Sequence, residues 1–87
     1  MDQYANTANG GLTGFTVEAV DGSIGKVDET TRQDLVVRTG FWVFGSTHVL
    51  PAGAIASIDP EGRKVFVSRT KDEVKHAPSW KAYASWN

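Results

Sequence analysis

The sequence predicts an all-β fold, a small six-stranded barrel, closed or partly open, with one short helix at its C-terminal end. Three observations lead there. Six short runs rich in Val, Ile, Thr and Phe recur between positions 15 and 68. Turn residues separate them, Asp21-Gly22 and Asp59-Pro60-Glu61-Gly62 above all, which is the pattern of successive short strands. Only one stretch, opening at Thr70, carries a helix-start signature, so strands do not alternate with helices as they would around a parallel sheet. Closing so small a sheet into a barrel also removes its exposed edges.

Each element has its own local reason. Residues 1–12 (MDQYANTANGGL) are small and polar and read as a flexible lead-in; the competing reading is a binding arm anchored by Tyr4. A barrel domain is expected over residues 13–78, with residues 79–87 as an aromatic tail. Phe15-Thr16-Val17-Glu18-Ala19 alternates apolar and polar, as a strand with one buried face does. Asp21-Gly22 then turns the chain. Residues 24–29 form the second strand, but Ile24 and Val27 are three apart. Gly25 between them marks a bulge or a tight barrel corner.

Residues 34–39 form the third strand, and its continuous Leu35-Val36-Val37 run predicts cover on both faces. Gly40 and Gly45 bracket Phe41-Trp42-Val43-Phe44. Residues 47–50 are the fourth strand, stopped by Pro51. Residues 54–58 are the fifth, again with two Ile residues, Ile55 and Ile58, out of step. Pro60 and Gly62 make the next turn. Residues 64–68 are the sixth strand, with Val65 and Val67 on one face and Phe66 on the other. Thr70 followed by Glu73 is a capping box. Pro78 ends the helix early. Trp80, Tyr83 and Trp86 follow at intervals of three, which suits one helical face or an irregular segment.

Composition narrows the function classes. A chain of 87 residues is one domain, and 40% hydrophobic content suffices for a small core. It contains no cysteine, which rules out disulfides and thiolate metal sites and fits a reducing cytoplasm. Ten acidic and nine basic residues give a net charge of −1, which argues against binding driven by nucleic-acid phosphates. No apolar run approaches the ~20 residues of a membrane-spanning helix. Met1 to Leu12 lacks the basic start and apolar centre of a secretory signal. The expected location is cytoplasmic.

No catalytic or metal signature stands out, and no cofactor is expected. The two histidines, His48 and His76, are 28 positions apart, a spacing that matches no metal motif. Ser23, Ser46, Ser57 and Ser68 lie in no nucleophile elbow. Gly22-Ser23-Ile24-Gly25-Lys26 is too short for a phosphate loop and reads as a hairpin turn feeding a strand. Glu18, Asp28 and Glu29 are explained as solvated strand residues.

Four stretches in order resemble the PRC-barrel family. Val20-Asp21-Gly22-Ser23-Ile24-Gly25-Lys26-Val27 resembles its opening hairpin. Leu35-Val36-Val37 with Thr39-Gly40 resembles its central strand, and Val49-Leu50-Pro51-Ala52 its strand end. Val65-Phe66-Val67 and Thr70-Lys71-Asp72-Glu73-Val74 with Ala77-Pro78 resemble the closing strand and helix. The family takes in the cytoplasmic part of the photosynthetic reaction-centre H subunit and the C-terminal domain of the ribosome-maturation factor RimM. The resemblance implies a scaffold for protein contacts and no shared catalytic residues. The chain departs from it in the short segment before Leu35 and in the aromatic richness of residues 41–44. No membrane helix and no N-terminal domain of the RimM kind is expected ahead of the barrel.

The expected function is therefore non-catalytic docking to a protein partner, with a homodimer as the first expectation. The interface residues are Phe41, Trp42, Val43, Phe44 and Trp80. Neighbours on an extended chain point to opposite sides, so a narrow barrel cannot take in all four of the aromatic run. The alternative is an RNA- or ribosome-associated factor, which requires Lys26, Arg32, Arg38, Lys64 and Arg69 to converge on one face. A ligand-binding interior is a third reading, disfavoured because side chains fill so small a barrel.

Overall fold

The computed structural model describes residues 11–40 and 45–79. Its strands are β1 (Thr16–Ala19), β2 (Gly22–Thr30), β3 (Asp34–Thr39), β4 (Ser46–Pro51), β5 (Ile55–Asp59) and β6 (Lys64–Val67). A 3-10 turn, Ala52–Ala54, links β4 to β5, and one short helix, α1 (Lys71–Lys75), follows β6. The strands form one six-stranded sheet in the order β4-β3-β2-β1-β6-β5. All neighbours are antiparallel except β1 and β6, which run parallel. The fold is thus mostly β, a mixed sheet with a short helix.

The sheet curls, and chain length alone requires it. β4 and β5 hold the two outer positions of the ladder. Laid flat, five inter-strand steps would separate them by about 24 Å. Yet three residues join them, and the path from Pro51 to Ile55 reaches at most about 14 Å. The outer strands therefore approach each other at that end. Among the described residues no strand ladder pairs β4 with β5.

Bulges supply the bend. β2 carries an extra residue, Ile24, opposite the Val17–Glu18 step, and another, Asp28, opposite the Val37–Val36 step. β5 carries one, Ala56, opposite the Val67–Phe66 step. An extra residue restores inward facing after a break in period. Accordingly Ile24 packs partly against the same core as Val27, and Ile55 and Ile58 both do so. Gly25 beside the first bulge marks a close approach, since a Cβ there would lie 2.1 Å from the Arg38 carbonyl oxygen. Gly22, at φ +132°, closes the β1–β2 turn in a conformation that side-chain-bearing residues rarely adopt.

The core lies on the concave face, built from Val17, Leu35, Val37, Leu50, Val65 and their buried neighbours, with Val74 of α1 packed into it. Leu12, which the sequence places in the lead-in, is only 2% exposed and belongs to this cluster. Val36 and its cross-strand partner Val49 are also buried, but outside that cluster. The Leu35-Val36-Val37 run is therefore covered on both faces, as its unbroken apolarity predicts. The β5–β6 turn departs from expectation in one detail. Its positive φ falls on Arg63 (φ 55°), while the Gly62 N–H donates to Asp59 Oδ1 at 3.1 Å. The Arg63 guanidinium stacks 5.1 Å from the Phe15 ring centre.

After α1 the chain returns to the sheet. The Val49 N–H donates to the Pro78 carbonyl at 2.8 Å, and Ser79 bridges to His48. Residues 77–79 thus cover the outer edge of β4.

Candidate functional site

The facing strands β3 and β4 grade from apolar to polar along the inner face. Their inward pairs run Leu35 with Leu50, then Val37 with His48, then Thr39 with Ser46. Alternation places Ser46 and His48 on the same face, two residues apart. The polar end opens as a surface hollow of about 540 Å³, with Ser23, Gly40, Ser46 and Lys75 exposed around it. β2 contributes Ser23 and Ile24 to it, the β3 end contributes Thr39 and Gly40, β4 contributes Ser46 and His48, and α1 contributes Lys71 and Lys75.

Hydrogen bonds order the floor. His48 Nδ1 lies 3.1 Å from the Ala77 carbonyl oxygen. A carbonyl only accepts, so Nδ1 carries the proton, and Nε2 of the neutral ring is an acceptor. The Ser46 hydroxyl, 3.1 Å from Nε2, donates to it. Thr39 Oγ1 lies 3.4 Å from the Ser46 carbonyl oxygen and donates there. Ser23, on the opposite wall, donates to Glu18 Oε2 at 2.6 Å.

Two cations complete the wall. Lys71 and Lys75 stand one helical turn apart on one face of α1. Among the described residues neither is in an ion pair, and no carboxylate belongs to the cavity lining. The helix that carries them is fixed at its start. Thr70 and Glu73 form the reciprocal capping box, and Lys71 N–H donates to Asp21 Oδ1 in the β1–β2 turn. The Lys71 stem lies over that turn, where a Cβ at Gly22 would meet Lys71 Cε at 2.9 Å.

The interface residues expected from sequence, Phe41, Trp42, Val43, Phe44 and Trp80, lie outside the described residues. Their points of attachment do not. Gly40, which leads into residues 41–44, lines the cavity, and Ser79, which leads into Trp80, bridges to His48 on the cavity floor. Both aromatic segments therefore join the fold beside one site.

Of the five basic residues named for RNA binding, three share a row. Arg38 pairs with Lys26, Lys26 with Thr16, and Thr16 with Lys64, placing the three cations on the outer face. Arg38 is held by Asp28 at 2.7 Å. Arg32 and Arg69 lie off the strands that form the row.

The sequence leaves Ser46 and His48 without a catalytic or metal role and gives Lys71 and Lys75 no site role. The only available signals were the spacings of two on a strand and four on a helix. Neither tells that the two pairs meet. Among the described residues no group of His, Asp or Glu is placed to hold a metal ion. Nor is any helix long and apolar enough to cross a membrane. Comparison with known protein families and with curated proteins finds no match for this chain.

Proposed function

We propose that this chain is a non-catalytic docking module of PRC-barrel type, which pairs with a second copy through Phe41, Trp42, Val43, Phe44 and Trp80. The observation that carries the reading is the shared origin of the two aromatic segments at Gly40 and Ser79, on either side of His48. One contact surface can then draw on both. The concave core supports it too, because the strands, Leu12, Phe15 and Val74 already make a continuous apolar cluster. Aromatic residues enriched at one place are the compositional mark of interface centres, and two-fold homodimers are the commonest assemblies. The barrel belongs to the same proposal. The three-residue link between the outer strands and the three bulges support a partly open barrel, with residues 77–79 along the β4 edge. The cytoplasm is the proposed location, supported by the absence of cysteine.

The test is the heat of dilution of the chain, wild type against Trp42→Ala. Wild type should absorb heat on dilution from high micromolar concentration as dimers separate, and the variant should not. Equal, featureless dilution of both would remove the reading.

RNA binding is the second reading, and the row of Arg38, Lys26 and Lys64 favours it. Asp28 neutralises one member of that row. Binding of a single-stranded RNA at low salt, lost steeply as salt rises and lost in Lys26→Gln/Lys64→Gln, would support this alternative; indifference to RNA at low salt would eliminate it.

A further inference from the structure

We propose that the cavity beneath α1 binds the phosphate monoester of a small polyol, a sugar-phosphate class of ligand. This site is chemically distinct from the apolar contact proposed above and does not depend on it. Three features point to the ligand. The first is charge. Among the described residues Lys71 and Lys75 line the same hollow, neither is in an ion pair, and no carboxylate is part of the lining, although Glu18 lies behind Ser23 and Asp21 beside the Lys71 backbone. Two ammonium groups on one wall match a phosphate monoester, which carries about −1.5 to −2 charge near neutral pH. A single carboxylate would leave one cation unanswered.

The second feature is the set of neutral polar groups on the opposite walls. Ser23, Thr39, Ser46 and His48 come from three strands and converge on the same space. The three hydroxyl protons are already given to Glu18, the Ser46 carbonyl and His48 Nε2, so the oxygens are left as acceptors, which suit the donating hydroxyls of a polyol. The imidazole is held in place from behind by the Ala77 carbonyl, so its orientation is set before a ligand arrives. The Ser23 hydroxyl donates to Glu18 Oε2, which leaves its oxygen able to accept from a ligand hydroxyl. A ligand hydroxyl satisfies that acceptor, whereas a second phosphate oxygen does not.

The third feature is size. The hollow is open to solvent, and its volume of about 540 Å³ exceeds what a bare phosphate needs. With phosphate between the lysines, the remainder accommodates a short polar body against Ile24 and the Thr39–Ser46–His48 wall.

The experiment is an amide chemical-shift titration of the full chain at low ionic strength with ribose 5-phosphate. Parallel titrations use ribose, inorganic phosphate, and sodium chloride at matched ionic strength. The expected result is saturable shifts centred on Gly40, Ser46, His48 and Lys71, with a dissociation constant of about 1 mM or tighter. Ribose alone should give none, and inorganic phosphate should bind several-fold more weakly. Lys71→Gln/Lys75→Gln should weaken ribose 5-phosphate binding by roughly tenfold or more, since it removes two charge-assisted contacts. A spectrum otherwise superimposable on wild type will show that this variant is folded. Lys26→Gln/Lys64→Gln, on the outer face, should bind as wild type does. Shifts that match the chloride titration would overturn the proposal, as would undiminished binding by Lys71→Gln/Lys75→Gln. Equal affinity for inorganic phosphate would overturn the polyol part of it.

Discussion

The Asp21 carboxylate accepts a hydrogen bond from the Lys71 backbone N–H at 2.8 Å, across fifty positions of sequence. One residue of the first hairpin turn thereby caps the helix that follows the last strand. The helix is five residues long, far below the length at which helices hold themselves, so its caps and Val74 must hold it. Asp21→Ala should lower stability by about 1 kcal/mol, read as a lower urea midpoint at unchanged slope. Asp21→Asn, which keeps an acceptor oxygen, should recover most of that loss.

Two glycines are expected to respond in opposite ways. A methyl at Gly25 would lie 2.1 Å from the backbone oxygen of Arg38, whereas one at Gly53 would meet nothing within 4 Å. Gly25→Ala must push strand β3 away from β2 and should cost about 2 kcal/mol or more. Gly53→Ala should be neutral or stabilising by up to about 1 kcal/mol, through a less flexible unfolded chain. Thermal unfolding of the two variants beside wild type tests both expectations.

His48 ties the returning chain to the edge of β4. Its ring bonds the Ala77 carbonyl, and the next residue, Val49, donates its N–H to Pro78. His48→Leu keeps the bulk but removes the side-chain bond. Amide exchange at Val49 should quicken by roughly tenfold, the equivalent of about 1.4 kcal/mol of local opening. Exchange at Val65, on the far side of the sheet, should not change.

Local signals were enough for the strands and for the helix start. Alternation placed β1 and β6, and the capping box at Thr70 and Glu73 formed as read. The out-of-step pairs Ile24/Val27 and Ile55/Ile58 announced real bulges. The order of the ladder was not legible, because the parallel β1–β6 pairing joins segments nearly fifty residues apart. Asp21 shows the same limit. Its turn chemistry was visible, but its second role depends on where the helix comes to rest. The hollow needed four elements at once, with Ser46 and His48 from β4, Thr39 from β3, Ser23 from β2, and Lys71 and Lys75 from α1. Each pair of residues is unremarkable in its own element, and only the folded chain brings their groups together.

The docking reading depends most on self-association through the aromatic segments, and sedimentation equilibrium of the full chain over the micromolar range tests it most directly. A chain that self-associates gives a mass rising from one chain to two with concentration. Trp42→Ala should stay at one chain throughout and unfold at the same temperature as wild type where both are single chains. A wild-type chain that sediments as a single copy at every concentration would contradict it.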